Sequence, residues 1–157
     1  MPIISRILSM GLRVAELAFA GVVAGIVGSY LHDYQTGSGW PLARFIYVEV
    51  IAGVSLLFGL LWLLPFASSF FHWPVDLLLS FAWFASFGVL VDYIDGTDCD
   101  EDTFDWSGIT EGGFCGRWKA AEAFSFLSAI VWILSAMVGI WFIRRDRRKA
   151  TPAHDRA

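Results

Sequence analysis

The stretch that decides the fold is AAEAFSFLSAIVWILSAMVGIWFI, residues 120–143. It carries a single charged residue, Glu122, and it has the length of roughly 20 apolar residues that a helix needs to cross a bilayer. Three more runs of this kind precede it, at about 12–31, 45–64 and 75–94. None of them alternates apolar and polar residues, so the pattern favours membrane-spanning helices over a β-barrel.

The composition agrees with this interpretation, because 57% of the 157 residues are hydrophobic, more than a soluble domain of this size normally contains. The sequence therefore predicts an all-α, four-helix transmembrane bundle over residues 1–143, with a basic tail at 144–157. A long acidic loop is expected between helices 3 and 4. A cleaved signal peptide is the alternative for the first run, but Glu16 would interrupt its apolar core.

The distribution of basic residues predicts the orientation in the membrane. Lys and Arg favour the cytoplasmic side, and eight of the eleven lie on the side of the two termini. The other side has only Arg44, Arg117 and Lys119. Both termini are therefore expected to face the cytoplasm, in the plasma membrane or a membrane of the secretory pathway.

The loop at about 95–119 contains the only two cysteines, Cys99 and Cys115. Because this loop lies on the predicted non-cytoplasmic side, which is oxidising in the secretory pathway, a disulfide is favoured over two free thiols or a metal pair. The loop is also rich in acidic residues, and its Asp98, Asp100 and Asp102 imitate the start of a calcium loop. The calcium-loop pattern requires glycine at its sixth position, where this sequence has Thr103. A solvated acidic surface is therefore the preferred interpretation.

Several charged residues lie in or near the spans, where carboxylates are costly and invite a functional hypothesis. They are Glu16, Glu49, Asp76, Asp92 and Glu122. Arg13 precedes Glu16 by three residues, so the two are expected to pair on one face of the first helix. The other acids are expected to pair at the ends of the bundle. The alternative is a small transporter or channel that uses Glu16, Glu49 and Glu122.

Small residues form a face on the first and fourth helices, and such faces let helices approach closely in lipid. The predicted packing residues are Ala20, Gly21, Ala24, Gly25, Gly28, Ser125, Ser128, Ser135 and Gly139. The two helices are expected to touch within one molecule, or between two molecules of a homo-oligomer that uses the Gly21-x-x-x-Gly25 motif.

The last span is followed directly by a basic run, which is expected to stop transfer and to attract anionic lipids of the inner leaflet. Its members are Arg144, Arg145, Arg147, Arg148 and Lys149. At the other side, the loop tryptophans Trp40, Trp106 and Trp118 are interpreted as interfacial anchors.

The sequence contains no motif of a nucleophile elbow, a zinc protease, a P-loop or a C-x-x-C pair. Neither an enzyme nor a cofactor is therefore predicted. Nucleic-acid binding has no support beyond the short basic tail.

Two stretches resemble the MARVEL-domain family, particularly its fungal members. The first is LRVAELAFAGVVAGIVG at residues 12–28, and the second is CGRWKAAEAFSFLSAIVWILSAMVGIW at residues 115–141. The resemblance implies a four-helix membrane bundle that organises membrane microdomains, membrane apposition or vesicle traffic without catalysis. An accessory subunit of a larger membrane complex, with other membrane proteins as partners, is the alternative role.

Overall fold

The computed structural model describes residues 3–33, 40–63, 72–97, 99, 109 and 112–150. These residues form four α-helices: α1 is Ile3–Asp33, α2 is Trp40–Leu63, α3 is His72–Asp95 and α4 is Gly113–Ala150. Each helix contains a segment long and apolar enough to cross a membrane, at Ile7–Asp33, Leu42–Leu63, Trp73–Asp95 and Gly113–Arg145. The predicted all-α transmembrane bundle is therefore confirmed.

The helices begin where the local sequence permits it. Pro41 and Pro74 each lie in the first turn of a helix, where the missing N–H removes no intrahelical hydrogen bond. Gly112 and Gly113 enter α4 with φ angles of 72° and 80°, a conformation that residues with a Cβ rarely adopt.

The fourth helix extends beyond its predicted span in both directions. It begins at Gly113 instead of about Ala120, and it continues through the basic run to Ala150. Most of the acidic loop residues lie outside the described residues, namely Asp98, Asp100, Glu101, Asp102, Asp105 and Glu111. Residues 151–157 of the tail and Leu64, the predicted end of the second span, lie outside them as well.

The four helices form an antiparallel square in chain order. The α1 helix packs against α2 and α4, and α3 packs against α4 and, less extensively, against α2. The end that holds the first turns of α1 and the last turns of α4 is called the terminal end here. The opposite end, which holds the last turns of α1 and α3, is called the loop end.

Small and branched side chains of α1 and α2 line the centre of the square. Ala20, Val23 and Val27 of α1 are fully buried, as are Val48 and Ala52 of α2. Large apolar side chains cover the outside of all four helices, as expected of a surface that meets lipid acyl chains.

Candidate functional site

Arg13 is the centre of a buried ionic cluster at the terminal end of the bundle. Its Nη1 donates to Glu16 Oε2 at 2.7 Å and to Asp76 Oδ1 at 3.0 Å, while its Nη2 donates to Asp76 Oδ2 at 2.9 Å. The guanidinium therefore binds Asp76 in a bidentate manner with two parallel hydrogen bonds, the strongest geometry for an arginine–carboxylate pair.

Two tryptophan rings complete the surroundings of this guanidinium. Its Cζ lies 4.4 Å from the ring centroid of Trp62 on α2 and 5.4 Å from that of Trp132 on α4. Both distances are within the range of a cation–π interaction. The set of Arg13, Glu16, Trp62, Asp76 and Trp132, called the Arg13 cluster below, thus draws residues from every helix of the bundle.

The charged groups of the Arg13 cluster are removed from solvent and lipid. Arg13 is 8% exposed, Asp76 is 1% exposed and Glu16 is fully buried. Glu16 Oε1 has no hydrogen bond of normal geometry among the described residues. Buried charges are tolerated only with close partners, and Arg13 and Asp76 provide them to each other between α1 and α3.

The structure brings together residues that the sequence placed separately. Arg13 and Glu16 pair along α1, as their spacing suggests. Asp76, which was expected only to pair somewhere at the end of the bundle, is the principal partner of Arg13 across the molecule. One signal in the sequence was available: in an up-and-down bundle, Arg13 and Asp76 occupy the same end.

An aromatic cluster closes the opposite, loop end. It consists of one residue from each helix: Tyr30, Phe45, Tyr93 and Trp118. The ring centroid of Phe45 lies 5.1 Å from that of Tyr30, 4.7 Å from that of Tyr93 and 5.0 Å from that of Trp118.

Within this aromatic cluster, Trp118 is only 3% exposed, so its interpretation as an interfacial anchor is wrong. The early start of α4 carries Trp118 into the helix and turns its ring inward. The Trp40 side chain and Trp106 lie outside the described residues.

Glu49 and Glu122 lie in the half of the bundle nearer the loop end, away from the Arg13 cluster. The Glu49 carboxylate packs against Gly28, where an added Cβ would lie 3.3 Å from Oε1. Gly28 lies twelve residues beyond Glu16 on α1, or about 18 Å along the helix axis. Glu122 is buried on α4 at 3% exposure.

The small residues divide into a buried set and an exposed set. Those that are fully or almost fully buried are Ala20, Ser125, Ser128 and Ser135, while Ala24, Gly28 and Gly139 are half-buried. Gly21 and Gly25 are exposed on α1, and a Cβ added to either would meet no atom within 4 Å. The Gly21-x-x-x-Gly25 motif is therefore not used in packing α1 against α4.

The two cysteines form a disulfide between Cys99, beyond the end of α3, and Cys115, in the first turn of α4, with their Cα atoms 5.5 Å apart. Cys99 also packs against the hydrophobic core. The bond therefore ties the end of α3 to the start of α4, beside the aromatic cluster.

The basic run lies on the helical extension of α4. Arg144, Arg145, Arg147 and Arg148 are all exposed, and the side chain of Lys149 lies outside the described residues. Among the residues that the structure describes, no three His, Cys, Asp or Glu side chains lie close enough to hold a metal ion.

Comparison with known families gives one match. A family model for MARVEL, described as a membrane-associating domain, matches residues 6–138, which include most of α1, all of α2 and α3, and most of α4. A search of curated proteins finds no match.

Proposed function

The chain belongs to the MARVEL family of membrane-associating domains, and from this premise we propose that it is a non-enzymatic organiser of membrane microdomains, membrane apposition or membrane traffic. The observation that carries the proposal is the open face at Gly21 and Gly25 on α1. A helix without side chains at two positions one turn apart lets a second helix approach closely in lipid. We propose that this face mediates lateral self-association.

The interior of the bundle supports a structural role over transport. The Arg13 cluster engages Glu16 at the terminal end, about 18 Å along α1 from the level of Glu49. Between these levels Ala20, Val23 and Val27 are fully buried, so α1 presents apolar side chains to the interior there. A transport path that used Glu16, Glu49 and Glu122 would meet no polar side chain of α1 between these levels.

Leucine substitutions test the proposed self-association directly. We expect Gly21→Leu combined with Gly25→Leu to weaken association between protomers by about ten-fold or more, since about 1.4 kcal/mol corresponds to ten-fold. The measurement is ensemble fluorescence transfer between labelled protomers in bilayers, together with the lateral distribution of the protein in cells. The protomer itself should remain folded, because neither added Cβ meets another atom.

Gly53 on α2 and Gly88 on α3 provide the matched controls, because both are exposed and have equally open surroundings. Leucine at these positions should leave association within about two-fold of the native protein. Native-like association of the Gly21/Gly25 variant, or an equal loss in the controls, would contradict this assignment. A protomer that is isolated only with other membrane proteins would favour the accessory-subunit role.

The orientation is proposed from the basic residues: both termini cytoplasmic, in the plasma membrane or a secretory-pathway membrane. The disulfide provides its test. For a protein at the cell surface, a membrane-impermeant maleimide applied to intact cells should label Cys99 and Cys115 only after reduction. Thiols that react only after selective permeabilisation of the plasma membrane would place the loop end in the cytosol and reverse the orientation.

A further inference from the structure

One face of α4 runs continuously from the middle of the bundle to the basic extension. Its members follow each other at helical spacings of three or four residues and are all exposed: Leu134, Met137, Trp141, Arg145 and Arg148. These five residues are called the α4 lipid face. The exposed fractions of its three apolar members are 44%, 60% and 54%.

The α4 lipid face changes from apolar to aromatic to basic along its length. This is the order of acyl chains, interface and headgroups in a bilayer. Leu134 and Met137 lie within the apolar part of the span, and Trp141 follows near its end, as tryptophans do at a membrane interface. Arg145 lies one turn beyond Trp141, about 6 Å along the axis, and Arg148 lies about 10 Å beyond it. Both arginines therefore lie beyond the tryptophan, at the end of the span where lipid headgroups are expected.

The position of Arg145 is fixed by a contact within this face. Its Cζ lies 5.3 Å from the ring centroid of Trp141, within cation–π distance. The guanidinium is therefore held beside the interfacial ring, where an adjacent lipid phosphate would lie. Its planar fork can donate hydrogen bonds to two phosphate oxygens at once.

We propose that the α4 lipid face binds one anionic phospholipid, with an acyl chain along Leu134 and Met137 and the charged headgroup between Arg145 and Arg148. Charge complementarity selects an anionic headgroup over a zwitterionic one. The site differs from diffuse attraction by a basic tail, because it depends on which face an arginine occupies. It requires only that α4 crosses the membrane, so it stands independently of self-association through Gly21 and Gly25.

The test uses the full-length protein in phosphatidylcholine bilayers with spin-labelled lipids. The fraction of motionally restricted phosphatidylserine is compared with that of phosphatidylcholine. The native protein should prefer phosphatidylserine, and Arg145→Gln combined with Arg148→Gln should reduce this preference by at least about five-fold. Arg147→Gln is the matched control, because Arg147 is exposed but lies off this face. It should cost less than half of the free energy that the Arg145/Arg148 variant loses in this preference, whereas diffuse attraction would give half.

Any one of four results would overturn the proposal. The first is a preference of the Arg145/Arg148 variant equal to that of the native protein. The second is an equally strong loss with Arg147→Gln, which would indicate diffuse charge. The third is displacement of the restricted phosphatidylserine by millimolar inorganic phosphate, which would indicate a soluble-anion site. The restricted phosphatidylcholine should be equal in all variants, which verifies the fold.

Trp141→Ala should lower the preference by removing the support of Arg145, and an unchanged preference, the fourth result, would count against the site.

Discussion

Arg13→Ala is expected to reduce the free energy of unfolding by about 3–5 kcal/mol, the cost of leaving buried charges without their partner. Glu16 and Asp76 would then face each other and an apolar surrounding with no cation among the described residues of the cluster. The measurement is reversible unfolding in mixed micelles, followed by tryptophan fluorescence as the fraction of denaturing detergent increases.

Arg44→Ala is the matched control, because Arg44 forms an ion pair with Asp92 at the loop end. The side chains of this pair are 41% and 63% exposed, so its loss should cost less than about 1 kcal/mol. The combined variant Arg13→Met, Glu16→Gln and Asp76→Asn should recover much of the lost stability, since it removes the charges together. Equal costs for the two single arginine variants would mean that the Arg13 cluster does not stabilise the bundle.

Phe45→Ala is expected to destabilise the loop end by about 3 kcal/mol, as for other buried phenylalanines. The Phe45 ring is 1% exposed and contacts three other rings of the aromatic cluster. In lipid the loss comes mainly from packing contacts, because burial from acyl chains provides little hydrophobic driving force. The same unfolding measurement applies.

Phe81→Ala makes the identical chemical change at a position that is 59% exposed on the outside of α3. Its unfolding free energy should stay within about 1 kcal/mol of the native value, because the lost contacts are replaced by lipid or detergent. Comparable losses for Phe45 and Phe81 would show that the aromatic cluster has no special part in holding the loop end together.

The spans could be predicted from the sequence because hydropathy over about 20 residues reflects a strong physical requirement. The ends of α4 could not be predicted from hydropathy. Hydropathy reports which residues tolerate lipid, whereas a helix already formed continues through residues such as Arg144 and Arg148 that favour helices in water. Gly113 marks the true start of α4, but a loop with several glycines gives no unique choice.

The candidate site was predictable only in its local part. The pairing of Arg13 with Glu16 follows from a spacing of three residues on one helix. The contact of Arg13 with Asp76 joins residues 63 positions apart and depends on how the four helices are rotated. The inward orientation of Trp118 depends on the same rotation, because a tryptophan near the end of a span suits both an interface and a core.

The four-helix origin of the Arg13 cluster has a consequence for biosynthesis. Arg13 leaves the ribosome 63 residues before Asp76 and well before Trp132, so during insertion only Glu16 accompanies it on its own helix. The Arg13–Glu16 pair partly neutralises the guanidinium while α1 is in the membrane without the later helices. A nascent or truncated chain without α4 leaves one side of the cluster open to lipid. The finished bundle buries this guanidinium almost completely, so its burial depends on the last helix to be synthesised.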